Sequence, residues 1–313
     1  MSAPYVPVFE PRFLMPRYWG TWLLLGVLRL AALLPLPAAH ALGAALGEMF
    51  HAVNAKRRRI ARINIGLCFP ELGERERCGL VRRHFRTQGK CSVDLGLIWW
   101  APVRRLERLI RPVGLETYQR LLAEGRNVIM LTGHFCTADL GGIYVSRFHP
   151  GLVMMKRLRN PVINWFVWRG RTRFGAQTTL REQGLRPLVR AIRAQVMCYY
   201  VPDEDFGPTQ SVFVPLLGTT AATVTTLGRL AATANAVVMP CFTRMLPDNR
   251  GYELIIRPPL EGFPTGDRTE DARRMNQALE EGIRMMPEQY MWTMKWFRSR
   301  PEGEASPYGR TEG

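Results

Sequence analysis

The chain runs to 313 residues, 47% hydrophobic and 22% charged, a balance that excludes intrinsic disorder and leaves ample length for a buried core. A formal net charge of +17 is far from ordinary and directs attention to polyanionic partners: nucleic acid, an anionic bilayer or an acidic carrier protein. The six cysteines, at 68, 78, 91, 136, 198 and 241, form no C-x-x-C pair and no Cys/His metal spacing, which argues against a structural zinc and for a reducing compartment.

Residues 19–34, WGTWLLLGVLRLAALL, are apolar except near Arg29, and Pro35 and Pro37 stop the run. As a helix this stretch spans about 24 Å, short of a hydrocarbon core of about 30 Å. A weaker apolar stretch rich in small residues follows at 38–53. Ala39-His40-Ala41 mimics a cleavage site, but the segment before the apolar run is long and carries prolines at 4, 7, 11 and 16, a poor signal-peptide leader. Arg12 and Arg17 precede the run, and Lys56, Arg57, Arg58, Arg59 and Arg62 follow it. The positive-inside tendency keeps both flanks on the cytoplasmic side. Residues 1–55 are therefore expected to be an apolar membrane-anchoring element inserted into one leaflet, with a full span and a buried core helix as the competing readings.

Residues 74–100 begin charged, turn apolar and end in Leu97-Ile98-Trp99-Trp100 before Ala101-Pro102, the pattern of one long helix. Glycines bound a short amphipathic helix at 114–125. Beyond it, apolar runs predict strands at 127–131, 152–155, 196–201, 236–244 and 252–257. Helical patterns fall at 138–147, 160–173, 185–194, 222–233 and 268–286. Such alternation predicts an α/β fold with a mostly parallel central sheet flanked by helices, occupying residues 56–300 as one domain. Residues 301–313, rich in Gly, Pro and Glu, read as a loose tail.

Where the first predicted strand gives way to a helix, the chain reads Thr132-Gly133-His134-Phe135-Cys136-Thr137-Ala138-Asp139. A histidine oriented by a carboxylate is the minimal apparatus for taking a proton from a hydroxyl, and open α/β sheets present ligand sites at the carboxyl ends of strands. Gly133 allows close backbone approach, Thr132 or Thr137 can cap the following helix, and Asp139 falls in its first turn. The spacing alone is weak: with five histidines and seven aspartates, chance supplies it in about one such chain in ten. A satisfied histidine at a strand end is the plain alternative.

Nine arginines crowd residues 157–193, and between 160 and 174 they alternate with Trp165, Phe166, Trp168 and Phe174. Arginine's planar fork suits phosphate and carboxylate, and the mixture suits a phosphorylated amphiphile or a single-stranded nucleic acid. GC-rich coding and a solvated helical face are the plain alternatives. Arg169 and Arg171, flanking Gly170, are the foremost ligand candidates. Asp203-Glu204-Asp205-Phe206-Gly207 follows a strand and offers either a divalent-metal site, as in glycosyl transfer, or an acidic loop paired with the arginines. The runs 211–218 and 237–240 each contain a proline, which suggests edge or terminal strand positions.

Taken in order, these pieces resemble the late acyltransferases of lipid A biosynthesis, related in turn to glycerolipid acyltransferases. The matching residues are Gly133-His134 with Asp139; Arg159-Asn160-Pro161 into Arg169-Gly170-Arg171; Asp203-Glu204-Asp205-Phe206-Gly207-Pro208; Ser211-Val212-Phe213-Val214-Pro215; Ala221-Ala222-Thr223; Arg229-Leu230-Ala231; and Pro287-Glu288-Gln289-Tyr290-Met291-Trp292. The resemblance covers nearly the whole chain. It implies transfer of a fatty acyl chain, of lauroyl type, from acyl carrier protein to a hydroxyl of a Kdo-bearing lipid A precursor, at the cytoplasmic face of the bacterial inner membrane. His134 and Asp139 are then the catalytic pair, while Arg159, Arg169, Arg171 and Asp205 are substrate contacts. Neither cofactor nor metal is implied, the acyl carrier thioester being a co-substrate. The partners implied are the carrier, the precursor and membrane lipid, with no nucleic acid. Acylation of another lipid such as a lysophospholipid, metal-dependent glycosyl transfer at Asp203 and Asp205, and a non-enzymatic basic protein binding anionic lipid or nucleic acid are the rival readings.

Overall fold

Side chains along a strand alternate between faces, and here each face of the sheet has its own core. In the computed structural model, which describes residues 4–309, Ile129, Leu131, Cys198, Tyr200, Val238 and Phe242 pack on one side. Their neighbours Val128, Met130, Met197, Tyr199, Met239 and Cys241 pack on the other.

The chain opens with helices α1 (Trp19–Ala31), α2 (Leu36–Val53), α3 (Ala55–Cys68), α4 (Glu74–Trp100) and α5 (Val103–Leu109). The alternating part follows: β1 (Ile110–Val113), α6 (Leu115–Ala123), β2 (Asn127–Leu131), α7 (Ala138–Val145), β3 (Gly151–Met155), α8 (Pro161–Arg171), β4 (Gln177–Leu180), α9 (Arg186–Arg193) and β5 (Met197–Tyr200). A hairpin, β6 (Ser211–Leu216) and β7 (Thr219–Val224), precedes α10 (Thr226–Ala234), β8 (Ala236–Met245), β9 (Tyr252–Ile256) and α11 (Arg268–Met285). The main sheet has the order β1-β9-β8-β2-β5-β3-β4. Every pairing in it is parallel except β8 with β9. Helices α9, α10 and α11 cover the face bearing Ile129 and Leu131; α6, α7 and the carboxyl half of α4 cover the other.

The predicted mostly parallel sheet is present, and three local expectations are corrected. Residues 222–224, expected to open the helix at 222–233, instead complete strand β7, because Ala221 and Ala222 pair across the hairpin with Val214 and Phe213; tertiary pairing overrides alanine's helix preference. Pro240 lies in an interior strand, not an edge. Strand β8 pairs with β2 through residues 236–240 and with β9 from Cys241 onward, so the proline sits where one ladder hands over to the other. Its carbonyl accepts the Arg257 amide at 2.8 Å. Pro215, in contrast, is exposed in the two-stranded hairpin, as expected. Within residues 301–309 Tyr308 is buried, donating to Asn64 and accepting the Phe297 amide at 3.0 Å; the rest of the expected tail, 310–313, lies outside the described residues.

At 13 residues α1 is about 20 Å long, and no described helix is long and apolar enough to cross a membrane. One side of α1 nonetheless presents apolar side chains to the exterior: Trp19, Leu23 and Leu30 are 64%, 73% and 66% exposed. Its other side rests on α4, where a Cβ at Gly96 would fall 2.6 Å from the Leu28 carbonyl. Helix α2 approaches α4 still more closely. A Cβ at Gly89 would lie 2.1 Å from the Gly43 carbonyl, and one at Gly47 would lie 2.2 Å from that of Phe85. Buried His40 fastens the same helix, reaching Asp94 at 3.2 Å and Asn249 at 2.9 Å, while Tyr252 donates to Asp94 at 2.6 Å.

Replacing a helical glycine by alanine ordinarily stabilises by up to about 1 kcal/mol. Gly89→Ala is expected to do the opposite, by about 2 kcal/mol, because the methyl group must displace backbone. Gly26→Ala in α1, where an added Cβ would meet nothing within 4 Å, serves as the control. Thermal unfolding of both variants reads the sign; a Gly89→Ala midpoint at or above wild type would contradict the helix contact.

Candidate active site

Parallel strands in register place residues equally far beyond their ends side by side. Leu131 of β2 is opposite Tyr200 of β5, so three residues further on His134 meets Asp203. His134 Nδ1 lies 2.6 Å from Asp203 Oδ1, and the His134 amide donates to Oδ2 at 2.7 Å. The Tyr290 hydroxyl donates to the same Oδ2 at 2.8 Å. Gly133 makes this possible, since a Cβ there would fall 2.9 Å from Asp203 Oδ2 and 3.3 Å from the rings of Phe135 and Tyr290.

The segment carrying Tyr290 is itself sewn to the turn. The Met291 amide donates to the His134 carbonyl at 3.0 Å and the Cys136 amide to the Gln289 carbonyl at 2.8 Å. Trp296 stacks on Tyr290 at 5.0 Å and stands 5.6 Å from the imidazole.

Burial would raise the Asp203 carboxyl, but the His134 charge and the bonds from His134 and Tyr290 outweigh it and hold the group below the usual carboxylate range. Burial would likewise lower His134, yet the Asp203 charge and hydrogen bond hold the imidazole above its usual range. Tyr290 is pushed up by burial and by the adjacent carboxylate, so it stays a donor. With Nδ1–H committed to Asp203, Nε2 has no hydrogen-bond partner among the described residues, and the side chain is 34% exposed. Such an imidazole is oriented to accept a proton at Nε2.

Asp139 does not orient His134. It lies in the first turn of α7 and takes Arg171 of α8 in a forked ion pair, Nε to Oδ1 at 3.0 Å and Nη2 to Oδ2 at 3.2 Å. Five residues along a turn and helix start carry the side chain past the imidazole, whereas the neighbouring strand delivers Asp203 directly. Arg171 still stands close enough for its charge to oppose protonation of His134. Gly170 lets α8 settle on Trp99, since a Cβ there would lie 2.2 Å from that ring. Arg169 is exposed with its guanidinium 5.2 Å from the Trp165 ring centroid, and Arg159 is exposed just before α8.

Asp205 does not join these groups. It is buried and accepts from the Ser299 amide at 2.7 Å, the Ser299 hydroxyl at 2.8 Å and the Gly207 amide at 2.9 Å. Its role is to tie the loop to the chain near Arg298. Asp203 and Asp205 thus direct their oxygens at protein donors rather than converging on a shared point. Glu204 pairs with Arg181 at 3.0 Å. Neither expected threonine caps α7; the Thr137 hydroxyl instead donates to the Thr243 carbonyl.

Residues 6–299 match the family model described as bacterial lipid A biosynthesis acyltransferase. The chain belongs to this family. It is 37% identical over 304 residues to the lipid A biosynthesis lauroyltransferase of Escherichia coli strain K12, covering 97% of this chain and 99% of that protein. The palmitoleoyltransferase of the same strain is 33% identical, over 96% and 98% of the two chains, and the myristoyltransferase is 32% identical, over 99% and 97%. The protein is an acyltransferase of lipid A biosynthesis, and so of lipopolysaccharide biosynthesis.

Asp203 and Tyr290 are the site groups that sequence reasoning left without a role at His134. Both lie within the runs that carry the family resemblance, and strand register was the missing link. Asp203→Asn offers an amide that can donate to the ring and favour the wrong tautomer, so a loss of about a thousandfold in kcat/KM is expected. Asp139→Asn acts through Arg171 and is expected to cost about ten- to a hundredfold. The reverse order would contradict the geometry. With the neutral imidazole acting as the base, its raised pKa predicts that kcat/KM falls as pH drops through a range above that of an ordinary histidine. Asp203→Asn removes the charge but not the burial, which moves that limb to lower pH; a limb that stays in place would contradict the pairing.

Proposed function

We propose that the protein moves a lauroyl-type acyl chain from acyl carrier protein to the hydroxyl of a 3-hydroxyacyl chain on a Kdo-bearing, phosphorylated lipid A precursor, at the cytoplasmic face of the inner membrane. The observation that carries the reading is the exposed, oriented imidazole of His134 beside Arg171. The higher identity to the lauroyltransferase than to the myristoyl- and palmitoleoyltransferases supports the choice of chain.

In this reaction His134 Nε2 takes the hydroxyl proton as the oxygen attacks the thioester carbonyl. Asp203 stabilises the imidazolium that forms. The tetrahedral oxyanion then collapses, the carbon–sulfur bond breaks, and the imidazolium returns its proton to the departing thiolate. No covalent acyl-enzyme is required, because the alcohol attacks directly. The oxyanion needs donors. The Cys136 and Ala138 amides are already given to the Gln289 and Phe135 carbonyls, which leaves the Thr137 amide and Arg171, the latter held in place by Asp139.

The acceptor is a membrane lipid, and the apolar side of α1 supports a one-leaflet insertion that brings the site to it. The Asn160 side chain at the start of α8 donates to Thr21 of α1 at 2.9 Å, and Trp22 packs on Phe166 at 5.7 Å. The helix bearing Arg169 and Arg171, with Arg159 before it, is therefore joined to the apolar surface, a suitable height for sugar phosphates and Kdo carboxylates.

Mass spectrometry of lipid A from cells lacking this protein, and from cells regaining it, tests the proposal. One dodecanoyl chain should be lost and then restored by wild type but not by His134→Ala. A different chain, an unchanged lipid A, or acyl label entering phospholipid instead would overturn it.

A further inference from the structure

We infer that the cavity between α9 and α10 is the docking site of the acidic acyl carrier protein; this rests on the acyl transfer proposed above. The cavity measures about 920 Å³ and lies on the sheet face opposite α7. Its floor is apolar, with Met154, Val189, Phe206 and Leu230, and its rim carries Arg186, Arg190 and Arg229.

Two features make the rim a site for an anionic partner. Arg186, Arg190 and Arg193 recur at intervals of four and three, one stripe of α9, while Leu188 and Ile192 on the other side of the helix are buried in the core. Arg186, Arg190 and Arg229 are exposed, and none forms an ion pair or hydrogen bond among the described residues. Some other guanidinium groups are matched, as with Arg171 to Asp139, Arg244 to Glu253 and, in the cavity wall itself, Arg181 to Glu204. Like charges gathered without an acid repel one another, and an anionic partner relieves that cost.

Position selects the carrier over the lipid. The apolar side of α1 and the arginines of α8 belong with α4 and α7, whereas α9 and α10 cover the opposite face. A membrane lipid approaches the first, and a water-borne acidic protein has free access to the second. The cavity wall then leads to the chemistry, because Tyr200, Val201 and Pro202 line it and Asp203 is the next residue. A carrier seated on the arginines can direct its phosphorylated, thioester-bearing arm along the apolar floor toward His134.

Steady-state transfer by the full chain in mixed micelles, with dodecanoyl carrier protein varied at fixed lipid acceptor, tests this. Arg186→Glu combined with Arg190→Glu is expected to raise the donor KM about tenfold or more. The kcat and the acceptor KM should stay within about twofold of wild type. Arg186→Lys with Arg190→Lys should retain most of the donor affinity, and transfer from dodecanoyl-pantetheine, which lacks the carrier, should not distinguish the variants. An unchanged donor KM in a variant with wild-type thermal unfolding overturns the docking site. So does a rise confined to the acceptor KM, which would make the cavity a lipid subsite. Wild-type protein that does not use the carrier thioester at all would overturn the transferase reading as well, a result separable from the other two.

Discussion

A buried carboxylate is tolerated only where donors replace the water it loses, and leaving one unpaired costs several kcal/mol. Asp203 has three such donors, the His134 ring, the His134 amide and the Tyr290 hydroxyl, and much of the surrounding structure follows from supplying them. The β2–β5 register aligns the two strand ends, Gly133 clears the space, and the 287–296 segment folds back to deliver Tyr290. One interaction therefore couples the sheet, the turn and the carboxyl-terminal segment to the protonation state of a single imidazole.

Around that centre the molecule is two-sided. Helices α1, α4, α7 and α8 join an apolar exterior to the Asp139–Arg171 pair, and α9 with α10 surround a basic cavity on the other face of the sheet. His134 lies at the sheet's carboxyl edge between them, the location at which open α/β folds assemble sites. Under the proposed transfer from a water-borne donor to a membrane-embedded acceptor, such separation would let each substrate reach His134 without crossing the other's path. The Asp139–Arg171 pair is the counterpart of His134–Asp203, one carboxylate holding a guanidinium and the other an imidazole.

The sheet was legible wherever a strand was apolar, as in 127–131, 196–201 and 236–244. Strands β1 and β4, Ile-Arg-Pro-Val and Gln-Thr-Thr-Leu, lie at the sheet's edges with too little apolar character to announce themselves. The reading of 222–224 as a helix start failed because alanine and threonine state little locally, and the hairpin partner decided the outcome. At the site, the spacing of His134 and Asp139 pointed to the correct turn but suggested the wrong partner. Proximity along the chain is visible in a sequence, whereas Asp203 arrives from 69 residues away through strand pairing. Asp205 misled for a related reason: an acid in a loop after a strand looks the same whether it faces a ligand or fastens Ser299.

The proposed catalysis rests on His134 being held by Asp203 through Nδ1–H, which leaves Nε2 free to act as the base. Nitrogen-15 NMR of histidine-labelled protein, above the pH at which the ring is protonated, reads the tautomer directly. His134 should carry its proton on Nδ1, with a strongly deshielded Nδ1–H resonance that survives Asp139→Asn and vanishes in Asp203→Asn. A proton on Nε2 in the wild type, or a resonance lost with Asp139 and kept without Asp203, would contradict that arrangement.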